Sequence, residues 1–146
     1  MRRLVSFGLW ALAVLVPGQA AAQTAQQFDV VCAVEEQWRS QTPLRGATSG
    51  SDQVDHRFRV DLASRKFCVD RCQAFFDLPD ADNGSNLDLT YRPMLGDGTP
   101  LSSDRIVSLN RVTGGSSTSY ASGTLSVRGT GQCRREPFSG FPEAVF

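Results

Sequence analysis

Four cysteines, Cys32, Cys68, Cys72 and Cys133, constrain this chain more than any other feature. Cys68 and Cys72 sit four residues apart in the stretch KFCVDRC, Lys66 to Cys72, and the other two lie near opposite ends of the sequence. An even number of cysteines in an exported domain reads as a disulfide framework. Three pairings are possible. In an extended strand Cys68 and Cys72 would stand about 13 Å apart, beyond the roughly 7 Å reach of a disulfide, so a bond between them requires a tight turn. Val-Asp-Arg accommodates one, and the remaining bond, Cys32 to Cys133, would tie the first strand to the last. On the chain-entropy view the short loop contributes about 2 kcal/mol and the long one nearly 5 kcal/mol. The alternatives are weaker: thioredoxin-like chemistry needs Cys-x-x-Cys at a helix start, and a zinc site needs further ligands from a chain whose sole histidine is His56. Neither a metal nor a cofactor is expected.

The framework reading depends on export, and the first residues supply it. The sequence opens MRRLVSFGLWALAVLVPGQAAAQ, two arginines followed by an apolar run from Leu4 to Val16, a Pro17-Gly18 break and small residues ending at Ala22. That order predicts a secretory signal peptide over residues 1–22, cleaved after Ala22, leaving one domain over 23–146. The apolar run is shorter than the roughly 20 residues that span a bilayer, and no later stretch is apolar enough to span as a helix. A periplasmic or secreted protein with no transmembrane segment after cleavage is therefore expected. The 15 basic and 15 acidic side chains balance, and losing Arg2 and Arg3 leaves a slight acidic excess. Such a surface gives no electrostatic reason to expect nucleic acid or an anionic membrane as partner.

Period-two patterning dominates the rest. FDVVCAVEEQW places Phe28, Val30, Cys32, Val34 and Trp38 on one face and Asp29, Glu35 and Gln37 on the other. HRFRVDLA turns Phe58, Val60 and Leu62 inward and Arg57, Arg59 and Asp61 outward. Between them Ser40 to Val54 reads as a polar loop. QAFFDL and NLDLTY predict a hairpin around PDADNGS that pairs Ala74, Phe76 and Leu78 with Leu87, Leu89 and Tyr91. RIVSLNRVT and SYASGTLSVR read as two strands joined by GGSS. The tail, with Pro137, Pro142, Phe138, Phe141 and Phe146, should run as an extended aromatic strap. About six or seven short antiparallel strands without an amphipathic helix predict an all-β, disulfide-stapled domain, a small barrel or a sandwich. In a barrel, Phe58, Phe76, Leu89 and Tyr91 would line either a ligand cavity or, the favoured alternative, a filled core.

Chemistry is sparse. Asp77, Asp80, Asp82, Asn83, Asn86 and Asp88 offer oxygen ligands, but with Gly84 as the loop glycine Pro79 and Ala81 occupy ligand positions, so the calcium-loop pattern fails and an Asn83-Gly84 turn explains the residues. There is no G-x-S-x-G elbow, no S-x-x-K and no phosphate-binding loop. His56, at a loop-to-strand junction, is expected on the surface. Carboxylate pairs such as Glu35 and Glu36, or Asp61 and Asp70, would serve a glycosidase only across a suitable cleft. Arg57, Arg59, Asn110 and Arg111 form a possible ligand patch, against which stands the plainer reading of strand faces with cross-strand ion pairs. Taken together, the four cysteines, the leader, Asn-Arg-x-Thr-Gly at Asn110 to Gly114 and Ser-Gly-Phe-Pro at Ser139 to Pro142 make the chain similar to small, uncharacterised exported bacterial proteins to which no activity is tied. That resemblance implies a stand-alone periplasmic or secreted domain. The residues favour a non-enzymatic binding or structural β-domain for a small ligand or a protein. A small carboxylate-based hydrolase or lyase, or a protease-inhibitor-like module inserting Ser40 to Val54, is the alternative.

Overall fold

The computed structural model describes residues 26–79 and 84–142. The expected leader over 1–22, Asp80, Asp82 and Asn83 of the acidic loop, and Phe146 lie outside the described residues. Eight antiparallel strands are present among the described residues: β1 Gln27–Thr42, β2 Gly46–Asp61, β3 Lys66–Val69, β4 Phe75–Asp77, β5 Asn86–Tyr91, β6 Arg105–Asn110, β7 Gly115–Ser122 and β8 Leu125–Pro137. They form one sheet in the order β4-β3-β2-β1-β8-β7-β6-β5. This is an up-and-down meander whose first and last strands pair, so the sheet curls into a nearly closed barrel. The all-β, stapled expectation holds, with a barrel rather than a sandwich.

Alternation sets the inner wall. Phe28, Val30, Cys32 and Val34 of β1 oppose Val60, Phe58, His56 and Val54 of β2, and on the other side Cys32 opposes Cys133 and Val34 opposes Gly131. Leu87 and Leu89 of β5 oppose Leu109 and Val107 of β6. These positions form one core, in which Phe58, Val60, Phe67 and Leu89 are wholly buried. The barrel is therefore filled rather than hollow. Two glycines on β8 permit its curl: a Cβ on Gly131 would lie 2.2 Å from the Ala33 carbonyl oxygen, and one on Gly129 would strike Thr118 and Val34 at 2.8 Å.

Both disulfides are formed, Cys32–Cys133 across β1 and β8 and Cys68–Cys72 within the turn that follows β3. Cys32 and Cys133 are directly opposed in the ladder, with Cα atoms 4.0 Å apart. In the short loop Asp70 and Cys72 take positive φ, and the Cys72 amide donates to the Val69 carbonyl at 2.9 Å, the tight turn that the four-residue spacing demands.

Three elements differ from the sequence reading. Residues 40–54 are not a loop: β1 and β2 stay paired from Gln27↔Asp61 to Thr42↔Gly46, and only Pro43–Arg45 turns. Both faces of this hairpin arm are largely exposed, so its sequence is mostly polar and shows no alternation. Trp38 stiffens the arm by lying over Gly50 opposite, while its indole Nε1 donates to Asp52 at 2.9 Å. SYASGTLSVR is two strands, because Gly123 at φ 53° reverses the chain between β7 and β8. The expected hairpin of QAFFDL with NLDLTY is absent: β4 pairs with β3, β5 pairs with β6, and no backbone ladder joins β4 to β5 among the described residues.

The tail does act as a strap, but on the outside of the barrel. Asp29 of β1 accepts hydrogen bonds from the Ser139 amide at 3.2 Å and hydroxyl at 2.7 Å, and Arg57 Nη1 donates to it at 2.9 Å. Arg59 Nη1 reaches the Gly140 carbonyl at 3.1 Å, and Phe141 packs edge-on against Phe75 and Phe138. This second layer explains why Asp29, on the outward face, is fully buried.

Candidate functional site

The missing β4–β5 ladder leaves a seam that side chains bridge. The Tyr91 ring of β5 stands 6.4 Å from Phe67, 5.8 Å from Phe76 and 6.2 Å from Phe58. The Phe67 and Phe58 pairs are edge-to-face, a geometry that contributes about 0.5–1.5 kcal/mol per pair beyond the buried area. At the barrel end that carries the long hairpin arm, the seam opens into a cavity of about 390 Å³ between the Cys68–Cys72 loop and the loop 92–104. Val69, Ala74, Phe76, Pro93, Met94 and Leu95 supply apolar wall, and His56, Tyr91 and Arg105 line its inner part.

Three inward positions continue the alternation and carry charge. Counting by twos from Val34 reaches Glu36, from Phe58 back reaches His56, and from Val107 back reaches Arg105. Glu36 Oε1 accepts a hydrogen bond from His56 Nε2 at 3.0 Å and another from Arg105 Nη1. The His56 bond, helped by the Arg105 charge, holds the Glu36 carboxyl below its ordinary range despite its burial. Burial pushes the Tyr91 hydroxyl up to about 12, with Arg105 opposing the shift. The guanidinium of Arg105 lies 5.8 Å from the Tyr120 ring centre, and its Nε–H is buried with no hydrogen-bond partner among the described residues.

Both flanking loops are tied by backbone hydrogen bonds. The Asp70 amide donates to the Arg57 carbonyl at 2.7 Å and its carboxylate accepts from the Arg57 amide at 3.0 Å, so the disulfide loop is clamped to β2. Arg71 at its apex is exposed, lines the cavity and has no ion-pair partner among the described residues. The opposite loop closes by a Met94↔Pro100 bridge and a turn at Gly98, φ 84°, with the Leu95 amide bonded to the Thr99 carbonyl at 2.8 Å. It holds Met94 and Leu95 at the rim with 38% and 48% of their surface exposed. Arg92 and Asp104 pair at 3.0 Å across its base.

Chemically, Glu36 is committed to two donors and Tyr91 keeps its proton. His56 is buried inside the barrel mouth, correcting the surface position expected for it; its parity with Phe58 was the overlooked signal. Adjacent on one strand, Glu35 and Glu36 point to opposite faces, and Glu35 is exposed. Asp61 caps the β2–β3 turn through the Ala63 and Ser64 amides, away from Asp70 on the clamp loop. Of the expected ligand patch, Arg57 and Arg59 lie on the outer face of β2 under the strap. Asn110 ends β6, its Oδ1 bonded to the Val112 and Thr113 amides, and Arg111 follows it, with three strands between β2 and β6. The four do not meet in one site. Asn110 and Arg111 line a second cavity at the other barrel end, with Phe28, Leu62, Leu87 and Leu109.

Among the described residues no group of three or more His, Cys, Asp or Glu side chains could hold a metal ion. No helix among them is long and apolar enough to cross a membrane. In comparisons with known proteins, no family model, curated protein or solved structure matches the chain.

Proposed function

We propose that this chain is an exported, non-enzymatic binding domain of the bacterial envelope or exterior, and that it takes a small ligand in the seam cavity. The observation that carries this reading is the cavity at the unladdered seam, lined at its inner end by His56, Tyr91 and Arg105 and rimmed by exposed Met94 and Leu95. Binding sites are concave, mostly apolar and fitted with a few converging polar groups, and they favour barrel mouths. Catalysis receives less support, because Asp70, the carboxylate that lines the cavity, accepts from the Arg57 amide, and Glu36 behind Arg105 is already engaged by His56 and Arg105. Export agrees with two disulfides and with the leader expected at residues 1–22.

The test is a fragment screen on the chain starting at Gln23, followed by backbone amide chemical shifts. Hits that shift Val69–Phe76 and Tyr91–Gly96 together support the reading. Hits confined to the hairpin arm or the opposite barrel end, or no hits at all, sink it.

A further inference from the structure

We infer that the ligand of the seam cavity is a small organic monoanion, a carboxylate carried on a compact apolar body; this rests on the binding reading above. The cavity is two-sided. Arg71, without an ion-pair partner among the described residues and held at the apex of the clamped disulfide loop, lines it from the rim, and Arg105, its guanidinium bonded to Glu36, lines it from within. The exposed Arg71 guanidinium beside apolar wall presents N–H donors that a carboxylate oxygen satisfies with charge-assisted bonds. Tyr91, whose hydroxyl stays protonated, lines the inner end beside Arg105. The opposite wall is apolar, and the exposed Met94 and Leu95 gain burial when a hydrocarbon body covers them.

The same inventory excludes other classes. Arg71, whose charge has no partner among the described residues, opposes an organic cation, while Arg92 and Arg105 are already paired with Asp104 and Glu36. A dianion such as phosphate meets Asp70 at the rim and Glu36 behind Arg105, with one arginine unpaired among the described lining residues to compensate. A wholly neutral apolar ligand leaves the Arg71 guanidinium beside it without an acceptor. About 390 Å³ suits a body of roughly drug-fragment size, not a polymer or a diacyl lipid.

The experiment compares octanoate, octylamine and octanol, which share one apolar body and differ in the head group, by calorimetric titration at neutral pH with amide shifts locating each ligand. Octanoate should bind at the cavity at least about tenfold more tightly than either analogue, the discrimination expected of one charge-assisted contact. Arg71→Glu, an exposed change that leaves the core untouched, should abolish that preference, Arg71→Lys should keep most of it, and Met94→Ser with Leu95→Ser should weaken octanoate and octanol alike. Octylamine or octanol binding at the cavity as tightly as octanoate would overturn the monoanion while leaving the binding site standing. An octanoate affinity unmoved by Arg71→Glu would also overturn it. Absence of cavity shifts with all three probes would overturn the monoanion and count against the binding site itself.

Discussion

Where β1 meets β8, backbone pairing runs without interruption from Phe28↔Pro137 to Ser40↔Leu125, and the Cys32–Cys133 bond crosses it from within the barrel; where β4 would meet β5, Phe67, Phe76 and Tyr91 touch but no ladder forms among the described residues. The first junction joins the two ends of the chain and spends its polar groups on itself. The second leaves donors and apolar surface facing a cavity. In one small barrel the stapled wall fixes shape, and the seam, held by side chains alone, is where something else can be bound. The strap reinforces the same asymmetry, since it covers the outer face of β1 and β2 beside the closed wall.

This contrast can be broken at either junction. Replacing Cys32 and Cys133 together by Ser removes the longest covalent loop, of sequence separation 101, and should cost about 5 kcal/mol by chemical denaturation. A loss below about 1 kcal/mol would mean that the ladder alone closes the wall. Phe67→Ala acts on the seam: its ring is fully buried and contacts Phe76 and Tyr91, so about 4 kcal/mol should be lost. An effect confined to stability, with ligand-free cavity amides unshifted, would show that the seam does not depend on these rings.

Glu36→Gln should cost about 2–3 kcal/mol at neutral pH, because it leaves the Arg105 charge buried without its counter-charge. The carboxyl's folded pKa is lowered, so its contribution is fully present above its ordinary value of 4.5 and is lost as pH falls through the lower folded value. The variant should lack that part of the acid slope; identical slopes below pH 4.5 would remove Glu36 from the account of the mouth. Smallest is the double change of Cys68 and Cys72 to Ser, at most about 2 kcal/mol for a loop of sequence separation 4. Ligand affinity should fall more than stability does, because the loop positions Arg71. Unchanged affinity would separate the disulfide from the site.

Strand alternation makes most of the barrel legible in the sequence: the inward faces of Phe28 to Val34, Phe58 to Val60 and Leu87 to Tyr91 follow directly from period two. It failed where its physical cause was missing. Residues 40–54 are exposed on both faces, so nothing selected for alternation although the backbone is paired. Gly123 was legible only as a strand glycine, since its positive φ belongs to the conformation and not to composition. Glu36, His56 and Arg105 could have been found by extending the inward parity one step beyond the last apolar residue of β1, β2 and β6. Their charges hid them, because burial becomes acceptable only through contacts among three strands distant in sequence. The seam was not legible at all. Adjacent short strands usually form a hairpin, and β4 and β5 instead terminate the two ends of the sheet.

The most direct measurement of the seam is amide hydrogen exchange along β5. The Arg111 amide donates to the Ser85 carbonyl, and alternation along the β5–β6 register then turns the Leu87, Leu89 and Tyr91 amides toward β6 and those of Asn86, Asp88 and Thr90 toward the gap. An open seam predicts that the Asp88 and Thr90 amides exchange orders of magnitude faster than the Leu89 amide between them. Equal protection of all three would mean that the barrel is laddered all the way round, and would contradict a site at the seam.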